Sequence, residues 1–271
     1  MVSKQINIEE SKIFYYVYNL HLKPTLLAVP GFRGNHKALT AFARCFENHR
    51  VILLDLPGYG FSESLNKTHS LKNYALFLNS FVTSLGLKDF YLWGHSLGGS
   101  IGIQYAAMFP NLINKLILVS PAISGKGFLE NLEADYYKLT NFLPRKYRKI
   151  WVANELISKL GGELLIRGVS NKRKQELINS GIKDLKEAKS RVIVESALSY
   201  LKTDLIELSK KIAAETLLIA GELDIIVPLE RIKILRSSIR RSELIIIPEH
   251  SHLTPLEEPV HIATLTEDFI H

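Results

Sequence analysis

Short apolar runs alternate with amphipathic stretches at both ends of this chain, and that alternation does most to restrict its fold. Strand-length runs occupy residues 13–18, 26–29, 51–55, 90–93 and 116–119, with helical periodicity between them at 37–46, 71–85 and 99–109. The rhythm returns late, with strands at 216–220 and 244–247 and helices at 229–237 and 259–270. Parallel neighbours need a long crossover, which a helix supplies. The order therefore predicts an α/β fold, a mostly parallel central sheet with helices on both faces.

Residues 121–213 break the rhythm. They hold several helical periods and no convincing β run. Ile193, Ala197, Tyr200, Leu201, Leu205 and Leu208 share one helical face, while Gly161-Gly162 and Gly181 read as helix ends. The expectation is a helical cap at 121–213 inserted into a core made of residues 1–120 and 214–271. The formal net charge of +7 resides in that cap. Of 34 basic and 27 acidic residues, 18 and 11 lie between Pro121 and Ala213, leaving 16 of each sign elsewhere. The run Arg145-Lys146-Tyr147-Arg148-Lys149 reads first as a solvated helix face and second as a weak attraction for anionic surfaces. No nucleic-acid partner is expected, because no basic–aromatic recognition pattern accompanies the charge.

With 46% hydrophobic residues the chain has apolar material for a core without disulfides, and Cys45 is the only cysteine. The first nineteen residues carry Glu9, Glu10 and Lys12 rather than the apolar run of a signal peptide, and no run of about 18 apolar residues occurs. The expectation is a cytoplasmic protein.

The strongest local signal is Gly94-His95-Ser96-Leu97-Gly98-Gly99, which follows one strand and opens a helix. A serine projects from the top of a sheet only where the chain turns sharply from strand into helix. That turn crowds the backbone, so Gly94 and Gly98 stand where a Cβ would collide.

Four further segments sit in a telling order. They are Val29-Pro30-Gly31-Phe32; Asp55-Leu56-Pro57-Gly58-Tyr59-Gly60-Phe61-Ser62; Gly221-Glu222-Leu223-Asp224 with Val227-Pro228; and Pro248-Glu249-His250-Ser251-His252 with Glu257 and Pro259. With the elbow they make the chain resemble the α/β-hydrolase superfamily, in its serine-nucleophile branch with a helical cap. Two positions depart from that pattern. Pro30 stands where the family usually has histidine before the oxyanion glycine, and Ser251 stands where glycine usually precedes the catalytic histidine.

The resemblance implies Ser96 as nucleophile, His252 as base and Asp224 as the carboxylate that orients the base, with the backbone amides of Phe32 and Leu97 as oxyanion donors. His250 competes for the base, but the spacing to Glu257 and Pro259 matches at His252. The position after the sixth strand reads Ser120-Pro121, with no carboxylate to rival Asp224. Asp55 reads as a structural loop carboxylate, and His95 and Trp93 as residues that shape the site. Tyr136, Tyr137, Phe142, Leu143, Tyr147, Ile150 and Trp151 offer apolar surface for an acyl pocket. The implied activity is cleavage of a small carboxylic ester with an apolar acyl group through an acyl-enzyme, with no metal or cofactor. The alternatives are a carbon–carbon bond hydrolase with the same triad and a ligand receptor on a hydrolase fold. Serine at the elbow argues against dehalogenases and epoxide hydrolases, which use aspartate there.

Overall fold

The strand runs assemble into one eight-stranded sheet in the computed structural model of the protein, which describes residues 1–32, 34–125, 128–152 and 154–271. The first part of the chain runs β1 (Val2–Ile8), β2 (Ser11–Tyr18), β3 (Thr25–Val29), a 3₁₀ turn at His36–Leu39 leading into α1 (Thr40–Ala43), β4 (Arg50–Leu54), α2 (Leu71–Ser84), β5 (Phe90–His95), α3 (Leu97–Met108) and β6 (Lys115–Val119). Six helices follow: α4 (Phe128–Phe142), α5 (Arg145–Val152), α6 (Glu155–Leu165), α7 (Asn171–Glu187), α8 (Ser190–Lys202) and α9 (Leu205–Ser209). The chain closes with β7 (Glu215–Gly221), α10 (Leu229–Ser238), β8 (Ser242–Ile247), α11 (Thr254–Glu257) and α12 (Pro259–Ile270).

The strand order is β1-β2-β4-β3-β5-β6-β7-β8. β2 pairs antiparallel with both β1 and β4, and every other pair is parallel. β3 lies between β4 and β5 with all five residues buried, as a parallel strand covered on both faces must be. The pleat divides the core in two. Leu27, Ile52, Leu92 and Leu116 join α2, α3 and α10 on one face. Leu26, Val51, Trp93 and Ile117 join α1 and α12 on the other. Local chemistry sets the helix starts. The Ser70, Ser170 and Asp204 side chains accept the first free amides of α2, α7 and α9.

Three details differ from the sequence reading. β1 is an additional edge strand, in register with β2 from Val2↔Val17 to Ile8↔Ser11. Gly161-Gly162 lies within α6 and Gly181 within α7, so these glycines do not end helices. A Cβ on Gly162 would come within 2.5 Å of Ile178 Cγ1, which shows that this glycine serves close approach of α6 to α7. The apolar face running from Ile193 to Leu208 is split between α8 and α9, because Asp204 begins a new helix. Among the described residues no helix is long and apolar enough to cross a membrane.

Candidate active site

Ser96 ends β5 and begins α3 with φ 50° and ψ −117°, a conformation that a non-glycine residue adopts only when its surroundings enforce it. The enforcement is visible. Ser96 N donates to Val119 O at 3.0 Å, and Ser96 O accepts from Ala122 N and Ser100 N, both at 3.0 Å. A Cβ on Gly94 would lie 2.4 Å from Gly98 O, and one on Gly98 would lie 2.1 Å from Val29 O. The second contact also brings the 29–32 loop against the elbow. Gly31 sits so close that its own Cβ would be 3.1 Å from that of Ser96.

The loops after β7 and β8 meet this serine. His252 Nε2 is 2.8 Å from Ser96 Oγ, and His252 Nδ1 is 2.8 Å from Asp224 Oδ2. All three residues are buried. Asp224 Oδ1 accepts the amides of Ile226 and Val227, each at 2.9 Å, which fixes the carboxylate plane. Burial alone would push the Asp224 carboxyl up. The charge and hydrogen bond of His252, with the two amides, outweigh it and hold the carboxyl below its ordinary value. An ionised Asp224 accepts only, so the neutral form of His252 keeps its proton on Nδ1 and has Nε2 free to accept from the serine hydroxyl.

His250 points elsewhere. Its Nδ1 donates to Pro248 O at 2.7 Å, and its Nε2 is 3.5 Å from Glu258 Oε1. His95, read from the sequence as shaping the site, and Glu257, which appeared there only as a spacing mark, hold the His252 loop in place. His95 Nε2 donates to the backbone carbonyl of His252 at 2.9 Å, and burial, followed by the charge of His252, pushes the His95 imidazole down to about 3. Glu257 is buried and accepts from Ser251 Oγ at 2.6 Å, from Ser251 N at 3.1 Å and from Arg167 N at 3.0 Å. The departure at Ser251 thus has an acceptor six residues on. A buried hydroxyl replacing glycine demands one, and that demand was the signal in the sequence. Asp55 binds the amides of His36 and Phe61 and the His36 ring, as a loop carboxylate does.

Ser96 and His252 open into a cavity of about 760 Å³ lined by Pro30, Phe32 and Leu97 from the core side. From the helical insertion it is lined by Tyr136, Tyr137, Trp151, Ile166, Leu185 and Ile193. Three aromatic residues expected at the pocket therefore line it. Phe142, Tyr147 and Ile150 do not; they are exposed to solvent. Leu143 is half-buried and is also absent from the lining. Hydrogen bonds tie insertion to core. His69 Nδ1 meets Glu195 Oε2 at 2.8 Å, and Tyr59 Oη meets Ser196 Oγ at 3.0 Å. Among the described residues no cluster of three or more His, Cys, Asp or Glu is arranged to hold a metal ion.

The sheet order, the elbow and the helical insertion together define an α/β-hydrolase fold. The chain belongs to the alpha/beta hydrolase fold family, whose sequence model matches residues 24–259. It is 27% identical to an uncharacterized hydrolase, YugF, of Bacillus subtilis, across 98% of this chain and 97% of that one. It is 26% identical to monoacylglycerol lipase abhd6-B of Xenopus laevis, across 92% and 75%. The solved esterase EaEST of Exiguobacterium antarcticum superposes with a TM-score of 0.85 at 20% identity, covering 99% of both chains.

Proposed function

We propose that this protein is a serine hydrolase that cleaves carboxylic esters through an acyl-enzyme on Ser96. The observation that carries the reading is the continuous relay from Ser96 Oγ through His252, both of which line the cavity, to Asp224 behind them. In this mechanism His252 Nε2 takes the serine proton as Oγ bonds to the ester carbonyl carbon, and the carbonyl oxygen becomes an oxyanion. The amides of Phe32 and Leu97 are its donors. His252 then passes the proton to the departing alkoxide as the carbon–oxygen bond breaks, leaving an acyl-serine. Water repeats the sequence, giving its proton to His252 and its oxygen to the acyl carbon, and Ser96 regains its hydrogen. Asp224 stabilises the imidazolium at each stage.

In this reading residues 121–213 form the cap over a core of residues 1–120 and 214–271, and the cap supplies the acyl pocket. A lipase-named relative and an aromatic lining favour a single-chain ester with an apolar acyl group. The test is labelling with a fluorophosphonate, then turnover of p-nitrophenyl esters of increasing acyl length. Covalent labelling and ester turnover are expected, both abolished in Ser96→Ala with the fold intact. Undiminished labelling of that variant overturns the assignment of Ser96. Labelling without turnover of any ester directs attention to a carbon–carbon bond substrate instead.

A further inference from the structure

The geometry points to α5 and the end of α4 as a docking surface for an anionic phospholipid bilayer. α5 reads Arg-Lys-Tyr-Arg-Lys-Ile-Trp-Val and has no acidic residue in its first turn and no buried residue at all. At 100° per residue Tyr147, Ile150 and Trp151 fall within one third of the helix circumference, and the rest holds the four basic residues with Val152, which packs inward against the core, among them. A helix of this kind ordinarily turns its apolar stripe onto the core. Here that stripe faces outward, with Trp151 54% exposed, beside Phe142 at 86% and Leu139 at 70% on the last turns of α4.

The two helices present these groups together. Arg148 Nη2 donates to the carbonyls of Asn141 and Leu143, and Tyr136 Oη donates to the Trp151 carbonyl. Arg148 is spent in that joint. Arg145, Lys146 and Lys149 remain, with no ion pair among the described residues, bordering a surface concavity that they share with Ile150.

Exposed apolar residues alone do not identify a partner; the charge does. The chain's whole positive excess lies between Pro121 and Ala213, while the rest of the molecule is balanced. Separated basic and apolar faces suit the headgroup–acyl boundary, where the cations meet lipid phosphate and the aromatic and aliphatic groups enter the acyl layer. Position agrees. Trp151 lies in this patch and also lines the cavity that holds Ser96, so a bilayer seated here abuts the mouth of the site. Docking requires no hydrolysis and does not rest on the ester assignment.

The test uses the full chain with vesicles of phosphatidylcholine alone, or of phosphatidylcholine and phosphatidylglycerol in equal parts. Sedimentation reports binding. Intrinsic fluorescence reports burial of Trp151, since the other tryptophan, Trp93, is already buried. Binding to the anionic vesicles is expected to be at least tenfold tighter than to the neutral ones, with emission shifted to shorter wavelength and with loss of binding at about 0.5 M salt. Lys146→Glu with Lys149→Glu, and separately Phe142→Ser with Ile150→Ser, are each expected to weaken it at least tenfold; each surface cation is worth about fivefold. Turnover of a water-soluble ester is expected to persist in both double variants. Circular dichroism verifies their fold independently, so a failure of the esterase reading leaves the binding result interpretable. Equal binding to both vesicle types, unaltered binding by either double variant, or a protein dimer lost in Phe142→Ser with Ile150→Ser without any vesicle binding overturns the proposal.

Discussion

Ser96 is held in a left-handed backbone conformation by hydrogen bonds to β6 and the segment that follows it, so the hydroxyl is presented before any substrate arrives. The partners of that hydroxyl give the first prediction. His252→Ala is expected to lower kcat by about 10⁴ or more, as loss of a relay member does, and His250→Ala by less than about tenfold. Steady-state kinetics on one soluble ester measures both, and the opposite ranking would make His250 the base. Glu257 gives the second. Its carboxylate satisfies three donors, and in Glu257→Gln one oxygen becomes an NH₂ that opposes them. The expected cost is about 1–3 kcal/mol of stability by denaturant titration, together with a fall in kcat/KM. A variant as stable and active as the parent would remove Glu257 from any role in holding the histidine loop. Ser96, Asp224 and His252 were legible because each lies in a short motif with its own backbone requirement. Glu257 appeared only as a spacing mark, since one of its three donors, the Arg167 amide, comes from a segment 90 residues away.

At the scale of single elements, α3 contains a paired test of what its glycines do. Gly98 faces Val29 O so closely that a Cβ has nowhere to go, whereas a Cβ on Gly102 would meet its nearest atoms, Leu116 Cδ1 and Leu118 Cδ2, at 3.5 Å. Gly98→Ala is expected to destabilise by more than about 4 kcal/mol or to prevent folding, because backbone must move. Gly102→Ala is expected to be neutral or to raise stability by up to about 1 kcal/mol, the ordinary helix preference of alanine. Thermal melts of the two variants decide it, and equal losses would show that helix packing rather than the elbow sets the requirement. The seven strands from β2 to β8 were readable from alternation and length. β1 was not, since its side chains are mostly exposed and a charged turn follows it. Gly162 misled because a glycine that lets two helices touch looks, in sequence, like one that ends a helix.

For the whole molecule, buried neutral histidines tie stability to pH. Burial, then the charge of His252, pushes the His95 imidazole from its ordinary 6.5 down to about 3, and burial also pushes His69 down against the pull of Glu195. In that window the unfolded chain binds protons that the folded chain refuses. The contribution is therefore full above about pH 6.5 and is lost as pH falls, by about 1.4 kcal/mol per pH unit for His95. Denaturant titrations between pH 7 and pH 4 are expected to show that decline, and His95→Gln is expected to flatten it by roughly that slope. An unchanged slope would mean that the folded protein already accommodates a protonated His95. The sequence offered Tyr136, Tyr137 and Trp151 for the cavity lining but not Ile166, Leu185 or Ile193, because long-range contacts among the helices of residues 121–213 decide which side chains reach it. The hydrogen bond from Arg167 N to Glu257, whose other partner is Ser251 beside His252, bears on how such a protein is remodelled. A foreign segment grafted between β6 and β7 would arrive without that amide and leave a buried carboxylate short of a donor. Exchanging residues 121–213 as a block will therefore loosen the His252 imidazole as well, unless the 167 loop is carried over with the host.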